Sequence, residues 1–418
     1  MTRRAIVVVL DGLRRDMLSP AATPNLHAFA ASATSFAAHR SVFPSATRVA
    51  TSCFATGCLP AAHGLQGNSV ALLEDGQLVR RDVGLPDFMD HWRRVRGHTF
   101  AVPTMAERLS RAGGKAMVFN NVSPGAARAH DPDGHGWVFH RAWSHAPGLR
   151  PLTGADAVPG VTLDPAGDAR LTSYFLDRAR DAELAVLWLG EPDHSQHEHP
   201  LGSPDAMAAV AAADTCFGRI RATIEPGTLL IACSDHGHQT VGEVVDIDAE
   251  FAAAGLKPEP EDPGLLAASN GTSALIYLHP DRASDADTVL RFLRAQPWAG
   301  AVLAGDDLRA AGQAPVGALL CAVSMRSDDR PNAYGIPGIS AAARPVVGKP
   351  DRLGCGQHGG LGRYEQMPFL MIEGSGFAPG ATRTDPTSMI DLAPTILAHL
   401  GLPADGCDGQ PLQTLDRT

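Results

Sequence analysis

The sequence predicts an α/β protein with a mostly parallel central sheet, helices on both faces and an inserted smaller cap. Three observations predict it. The chain has 418 residues, enough for a large core with an insertion. Short β-branched runs alternate with segments of helical periodicity, the pattern of a parallel sheet covered on both sides. Acidic and histidine residues recur at the ends of these runs, where open parallel sheets gather their active sites.

The elements follow in order. Ala5–Leu10 reads as a buried strand. Thr23-Pro24 caps a helix with Leu26, Phe29 and Ala30 on one face. Residues 48–56 form a helix closed by Gly57. Thr104 and Glu107 make a capping-box pattern ahead of a helix to Ala112, and a strand follows at 115–119. Residues 145–170, rich in Pro, Gly and Asp, read as a surface loop or linker. Leu184–Leu189 is a strand. Ser203-Pro204 caps a helix with Met207, Val210, Phe217 and Ile220 at helical spacing, and 228–233 is the next strand. From about 244 to 350 the pattern changes, with strands at 272–278 and 318–325 around a helix at 285–295. The expected division is therefore a core of residues 1–243 and 351–418, with the cap inserted at 244–350. A strand at 368–372 returns to the core.

Composition narrows the function. Apolar residues make up 44% and charged residues 19%, ordinary values for a soluble globular chain. A net charge of −10 without a long basic run excludes nucleic acid as a structural partner, because phosphate backbones need clustered Lys and Arg. An acidic chain can still take a small phosphoryl substrate if local cations supply the positive charge. No apolar run approaches a membrane span, so no membrane role is expected. Met1-Thr-Arg-Arg ahead of Ala5–Leu10 mimics a signal peptide, but the apolar run is short and Asp11 follows it without a cleavage site. The seven cysteines show no paired pattern, and Cys53 and Cys58 lack a second pair to complete a zinc site. They read as reduced thiols of a cytoplasmic protein. The pattern leaves monomer and homo-oligomer open.

The chemistry sits at strand ends. Asp11 ends the first strand, Asp193 follows Leu184–Leu189 with His197 four residues on, and Asp235-His236 follows the strand at 228–233. His358 lies in a Gly-Gln-His-Gly-Gly run just before the last core strand. Such Asp and His donors suit zinc, with manganese the alternative. They are too many for one tetrahedral ion and about right for two divalent cations that clamp an in-line phosphoryl displacement. Singly, each has a plainer reading: an Asp after a strand is commonly a helix cap, and Asp235-His236-Gly237 is a turn. Four strand ends carrying one chemistry favour the joint reading. Pro44 breaks the chain ahead of Thr47, which places this hydroxyl at a helix start, where free N–H groups and the dipole favour an anion. Contact with a divalent cation makes such a hydroxyl a nucleophile near neutral pH. In isolation Thr47 reads as an N-cap. Ser45 is the competing hydroxyl, and Thr51 and Ser52 lie deeper in the helix.

These residues resemble the alkaline phosphatase superfamily. Val-Val-Leu-Asp11-Gly with Thr23-Pro-Asn-Leu is similar to the start of its sulfatases and phosphodiesterases. Glu191-Pro-Asp193-His-Ser-Gln-His197, Ser234-Asp235-His236-Gly237 and Gly356-Gln-His358-Gly resemble its metal motifs, and Ile390-Asp-Leu-Ala-Pro-Thr395 with Asp408-Gly-Gln-Pro-Leu its tail. Residues 244–350 are the weakest part of the likeness. The resemblance implies an alkaline phosphatase-like three-layer fold. Within the superfamily the chain is most similar to the type I phosphodiesterase/nucleotide pyrophosphatase branch, which places a Thr nucleophile ten residues before a Thr-Gly glycine, as Thr47 stands to Gly57. By that resemblance one cation takes Asp193, His197 and His358, and the other takes Asp11, Thr47, Asp235 and His236. Asn68 holds a phosphate oxygen, and a phospho-threonine forms on Thr47. His194, His199 and His238 are given supporting or surface positions.

Departures shape the substrate. Arg48 stands where nucleotide-cleaving members commonly carry an aromatic, which disfavours a nucleotide and suggests contact with a second anionic group. Thr47, Val49 and Thr51 do not fit the Cys/Ser, Pro and Arg pattern of sulfatases. Phosphonoacetate hydrolases share the metal set but hold their carboxylate with lysines, and Asn120-Asn-Val-Ser-Pro-Gly has none. The expected activity is phosphodiester hydrolysis, with phosphonoacetate hydrolysis or phosphomonoester hydrolysis as alternatives.

Overall fold

The computed structural model describes residues 3–346 and 348–414; Met1 and Thr2 of the signal-like start lie outside them. At its centre is a ten-stranded sheet. Its middle is built from β1 (Ala5–Leu10), β2 (Ala116–Asn120), β3 (Leu184–Leu189), β4 (Leu229–Cys233) and β5 (Leu370–Glu373), ordered β5-β4-β1-β3-β2 across the sheet. β1 pairs in parallel with β3 and β4, and β3 with β2. β5 runs antiparallel to β4, with Cys233 opposite Leu370. The order explains the composition: β1, β3 and β4 lie between neighbours and are covered on both faces, so every residue in them is buried. Alternate side chains serve two cores. Ala5, Val7 and Val9 join one with helix α1 (Thr47–Thr56), while Ile6, Val8 and Leu10 join the other with α2 (Pro165–Arg178) and α4 (Pro204–Arg221). Between these last two helices lies the short α3 (Asp193–Glu198).

Local chemistry sets the ends. Gly57 closes α1 in the left-handed region at φ 71°. The Thr104 hydroxyl accepts from the Glu107 N–H at 3.2 Å, capping Met105–Arg111. Thr23 does not cap with its side chain, which bonds Ser19 instead. The amides of Asn25 and Leu26 are taken by Asp214, reaching across from α4 at 3.0 and 2.8 Å. The expected linker at 145–170 is corrected. It contains strand residues at the sheet edge, and it ends in α2, where the Asp164 carboxylate accepts from Gly167 N–H at 2.7 Å. Proline at the first helical position and an Asx cap are helix-start signals that the loop-like composition masked.

Residues beyond β4 build further sheets. Leu265–Ser269, Ser273–Leu278, Leu319–Met325 and Ala299–Ala304 form an antiparallel four-stranded sheet in which Ser273–Leu278 and Leu319–Met325 are central. It shares apolar contacts with the hairpin Ser69–Glu74 and Gln77–Asp82. A mixed sheet joins Gln239–Val245 in parallel to Pro337–Ala343 and antiparallel to Gly356–Gln357. Gln239–Val245 runs through the expected boundary at 243/244 and carries the chain out of the core. All seven cysteines are free thiols. Among the described residues no helix is long and apolar enough to cross a membrane.

Candidate active site

The carboxyl ends of β1, β3 and β4 lie side by side, which brings Asp11, the start of α3 and Asp235-His236 to one edge of the sheet. Asp193 is the first residue of α3 and His197 lies one turn on, so both face the same way, their Oδ1 and Nε2 3.4 Å apart. The loop before β5 adds His358, whose Nε2 is 3.5 Å from Asp193 Oδ1. Asp11, Asp235 and His236 form a second group, fully buried, with His236 Nε2 3.5 Å from Asp11 Oδ1 and 3.3 Å from Asp235 Oδ2. The stacked His236 and His358 rings, 3.6 Å between centroids, join the two groups. Within each group the donor atoms lie within 4.8 Å of one another.

Hydrogen bonds aim these side chains. Trp188 Nε1 donates to Asp11 Oδ2 at 2.8 Å, and Gly12 N–H donates to Asp235 Oδ1 at 3.1 Å, leaving Asp11 Oδ1 and Asp235 Oδ2 facing inward. The Nδ1 atoms of His197 and His358 stand 2.8 and 2.7 Å from the carbonyls of Gly356 and Ser45. A carbonyl only accepts, so each Nδ1 carries the proton and each Nε2 presents a lone pair. His236 follows the same pattern on Gly237 O at 3.1 Å.

The electrostatics fit a cation site. Burial, then the charges of Asp235 and Asp193, pushes the Asp11 carboxyl well above the usual range. Burial, with Asp193, pushes Asp235 up to about 7. For Asp193, burial's upward push is outweighed by His197 and the neighbouring histidines, which hold it well below the ordinary value. Burial keeps His197 and His358 well below the ordinary imidazole value and lowers His236 to about 3, so all three are neutral imidazoles at pH 7. Asp11 Oδ1, Asp193 Oδ1 and Asp235 Oδ2 are buried without hydrogen-bond partners. Inward-facing carboxylate oxygens without donors are the arrangement that a divalent cation satisfies, and the residues present fit such ions.

Thr47 is the first residue of α1 and its Oγ1 lies 3.1 Å from His236 Nε2, so it faces the Asp11 group. The other hydroxyls are engaged elsewhere. Ser45 Oγ donates to Gly360 O at 2.9 Å, while Thr51 and Ser52 bond the carbonyls of Thr47 and Arg48. Thr47, Asp193, His197 and His358 line a cavity of about 360 Å³ together with Asn68 and Arg48. Asn68 Oδ1 accepts from the Arg48 N–H at 3.1 Å, and Arg48 Nε donates to Ser123 Oγ at 3.0 Å. Arg141, Lys349 and Arg352 also line the cavity. Every site residue expected from the sequence therefore lies in this one region. His199 is an outer residue near Asp205, and His194 lines the cavity. His238 is no surface residue: it is fully buried, with Nε2 3.0 Å from Asp193 Oδ1. Of the two positions expected for it, this is the supporting one.

The family model and the fold define a phosphoryl hydrolase with an alkaline phosphatase-like fold. The chain belongs to the type I phosphodiesterase/nucleotide pyrophosphatase family, whose model matches residues 5–300. Solved structures similar to it include murine ectonucleotide pyrophosphatase/phosphodiesterase 5, at 19% identity and TM-score 0.68 over 97% of both chains. That murine protein has also been solved as an inactive variant with AMP. Phosphonoacetate hydrolase from Sinorhizobium meliloti 1021, with phosphonoformate, matches at 15% identity and TM-score 0.66 over 96% of this chain and 95% of that one. The alkaline phosphatase PafA matches at 14% identity and TM-score 0.71 over 98% of both. No curated protein sequence matches the chain significantly.

Proposed function

We propose that the protein hydrolyses phosphate diesters or related phosphoryl compounds through a phospho-threonine on Thr47. The observation that carries this reading is the position of Thr47: it lines the cavity together with Asp193, His197 and His358, and its Oγ1 lies 3.1 Å from His236 of the buried Asp11 group. Two divalent cations, zinc in the first place and manganese as the alternative, would be held by Asp193, His197 and His358 and by Asp11, Asp235, His236 and Thr47; when bound they neutralise phosphoryl charge and lower the pKa of a coordinated hydroxyl. Thr47 Oγ attacks phosphorus in line as the bond to the leaving oxygen breaks. Water then cleaves the P–Oγ bond and the hydroxyl returns. With its Oδ1 taken by the Arg48 N–H, the Asn68 amide offers its N–H₂ to a non-bridging oxygen, where charge grows in the transition state. The start of α1 adds the positive end of its dipole.

Arg48 in the cavity wall supports a substrate with a second anionic group. The phosphonate alternative gains one observation. The stretch without lysine at 120–125 faces Arg141, which bonds Val122 O at 2.7 Å and lines the cavity beside Ser123. The free thiols support a cytoplasmic setting, and the separate antiparallel sheet supports reading much of 244–350 as the cap.

The test is a comparison of diester, monoester and phosphonate turnover with zinc or manganese present, in the natural protein and in Thr47→Ala. The variant is expected to lose several orders of magnitude in kcat while binding the same amount of metal. Full activity in the variant refutes the nucleophile. Arg48→Ala is expected to raise KM on the preferred substrate, and unchanged kinetics remove its assigned contact.

A further inference from the structure

We infer that His238 is a fourth protein ligand of the cation held by Asp193, His197 and His358. This inference rests on the dinuclear reading above. The ring triangle is nearly regular: the centroids of His238 and His197 are 5.2 Å apart, those of His238 and His358 5.2 Å, and those of His197 and His358 5.1 Å. Asp193 Oδ1 caps the triangle, and of the three imidazoles His238 comes nearest to it, at 3.0 Å against 3.4 and 3.5 Å.

The tautomer of His238 matches that of the other three histidines. Its Nδ1 stands 3.0 Å from Gly12 O, so Nδ1 carries the proton and Nε2 a lone pair. That lone pair faces a carboxylate oxygen, and both atoms are buried without a hydrogen-bond partner. Two acceptors in contact repel each other unless a proton or a metal cation stands between them, and a cation shared with His197 and His358 satisfies all four donors at once. The fold also makes room for the ring. Gly12 sits at φ +68°, and a Cβ there would collide with His238 Cε1 and come within 3.0 Å of its Nδ1. Gly12 thus provides both the space for the imidazole and the carbonyl that aims it.

Three imidazoles and one carboxylate make a complete tetrahedral donor set for zinc, whereas a catalytic site with three protein ligands keeps one position open. The Asp193 site then takes a substrate oxygen only by expanding to five-coordination.

The deciding experiment is a crystal structure of the full chain loaded with zinc alone, the ions located by anomalous scattering. Ligation puts His238 Nε2 about 2.0–2.1 Å from the ion. An ion bound by Asp193, His197 and His358 with His238 beyond about 3 Å, outside any coordination distance, overturns the inference and leaves the proposed function standing. No ion at either group overturns both. In solution, the cobalt-loaded natural protein and His238→Gln are compared by their visible absorption. A change in the ligand-field bands, with zinc affinity down about 100-fold or more, supports ligation, since losing an outer partner alone costs about 10–100-fold. Unchanged bands overturn it.

Discussion

A buried imidazole is informative through what its two nitrogens already do. His63 is fully buried, with Nδ1 accepting from the Leu65 N–H at 3.1 Å and Nε2 3.3 Å from Cys53 Sγ in α1. Protonating Nδ1 would set a second hydrogen against the Leu65 N–H. Burial accordingly lowers the ring's pKa to about 3. The folded value is depressed below the unfolded 6.5, so the native state binds fewer protons between those values. The stabilisation is complete above pH 6.5 and is lost as pH falls toward 3. Replacing His63 by Gln removes this dependence. The stability advantage of the natural protein over His63→Gln is expected to shrink by about 2 kcal/mol between pH 6.5 and 5. Denaturant unfolding at both pH values checks it, and a difference that stays constant contradicts a buried neutral ring. Thr47 poses the converse case: the proline break placed it at a helix start, and the Thr-Gly spacing entered through the family resemblance. The engagement of Ser45 by Gly360 and Glu365 was not legible, since those partners lie more than 300 residues away.

At the scale of elements, the loop carrying His358 is held by one carboxylate. Glu365 is buried; its oxygens accept from the N–H groups of Gly360 at 2.7 Å and Gly362 at 2.9 Å, from Ser45 Oγ at 3.2 Å, from Gln239 Nε2 at 3.3 Å and from Thr272 Oγ1. These donors belong to the segment before α1, the mixed sheet and the antiparallel sheet, so one side chain ties three elements to the site. Glu365→Ala leaves several buried donors unpaired, each worth about 1–3 kcal/mol. A loss of about 3 kcal/mol or more in urea unfolding is expected, together with weaker zinc binding at the group containing His358. A cost under about 1 kcal/mol contradicts the keystone role. The central strands were readable because burial on both faces makes them continuous apolar runs. α2 was not, because Pro165 and Gly167 in its first turn resemble loop composition. Gly167 is demanded by packing: a Cβ there would strike the carbonyl of Thr162. The hairpin Ser69–Glu74 and Gln77–Asp82 also escaped, although Asp75-Gly76 between two strands is a strong turn signal; Asp75 itself lies at φ 48°.

Across the whole molecule, the proposed ligand groups come from the ends of β1 and β4, from α3, from the start of α1 and from the loop before β5, so the proposed site exists only when the sheet is assembled. The unfolded chain offers no such site, and cation binding is therefore linked to folding. Three carboxylates, two of them buried, also stand in mutual reach, and burial followed by the charges of Asp235 and Asp193 raises Asp11. A cation between them removes that repulsion, so its contribution is greatest where the acidic chain, at net −10, is otherwise most strained by charge. At a free-ion level of 1,000 times Kd, one site adds about 4 kcal/mol. Stripping the protein with a strong chelator is therefore expected to lower its Tm by about 10 °C, with restoration on adding zinc. Thr47→Ala should show the same shift, because six of the seven expected donors remain. Asp11→Asn and Asp193→Asn should each lose part of it, and only Asp11→Asn should gain stability in the chelated state, because burial and its neighbours raise Asp11 whereas the histidines hold Asp193 low. Calorimetry of the four proteins with and without zinc decides the point. A Tm indifferent to the chelator, in a protein shown to carry metal beforehand, contradicts a site that binds across the assembled sheet.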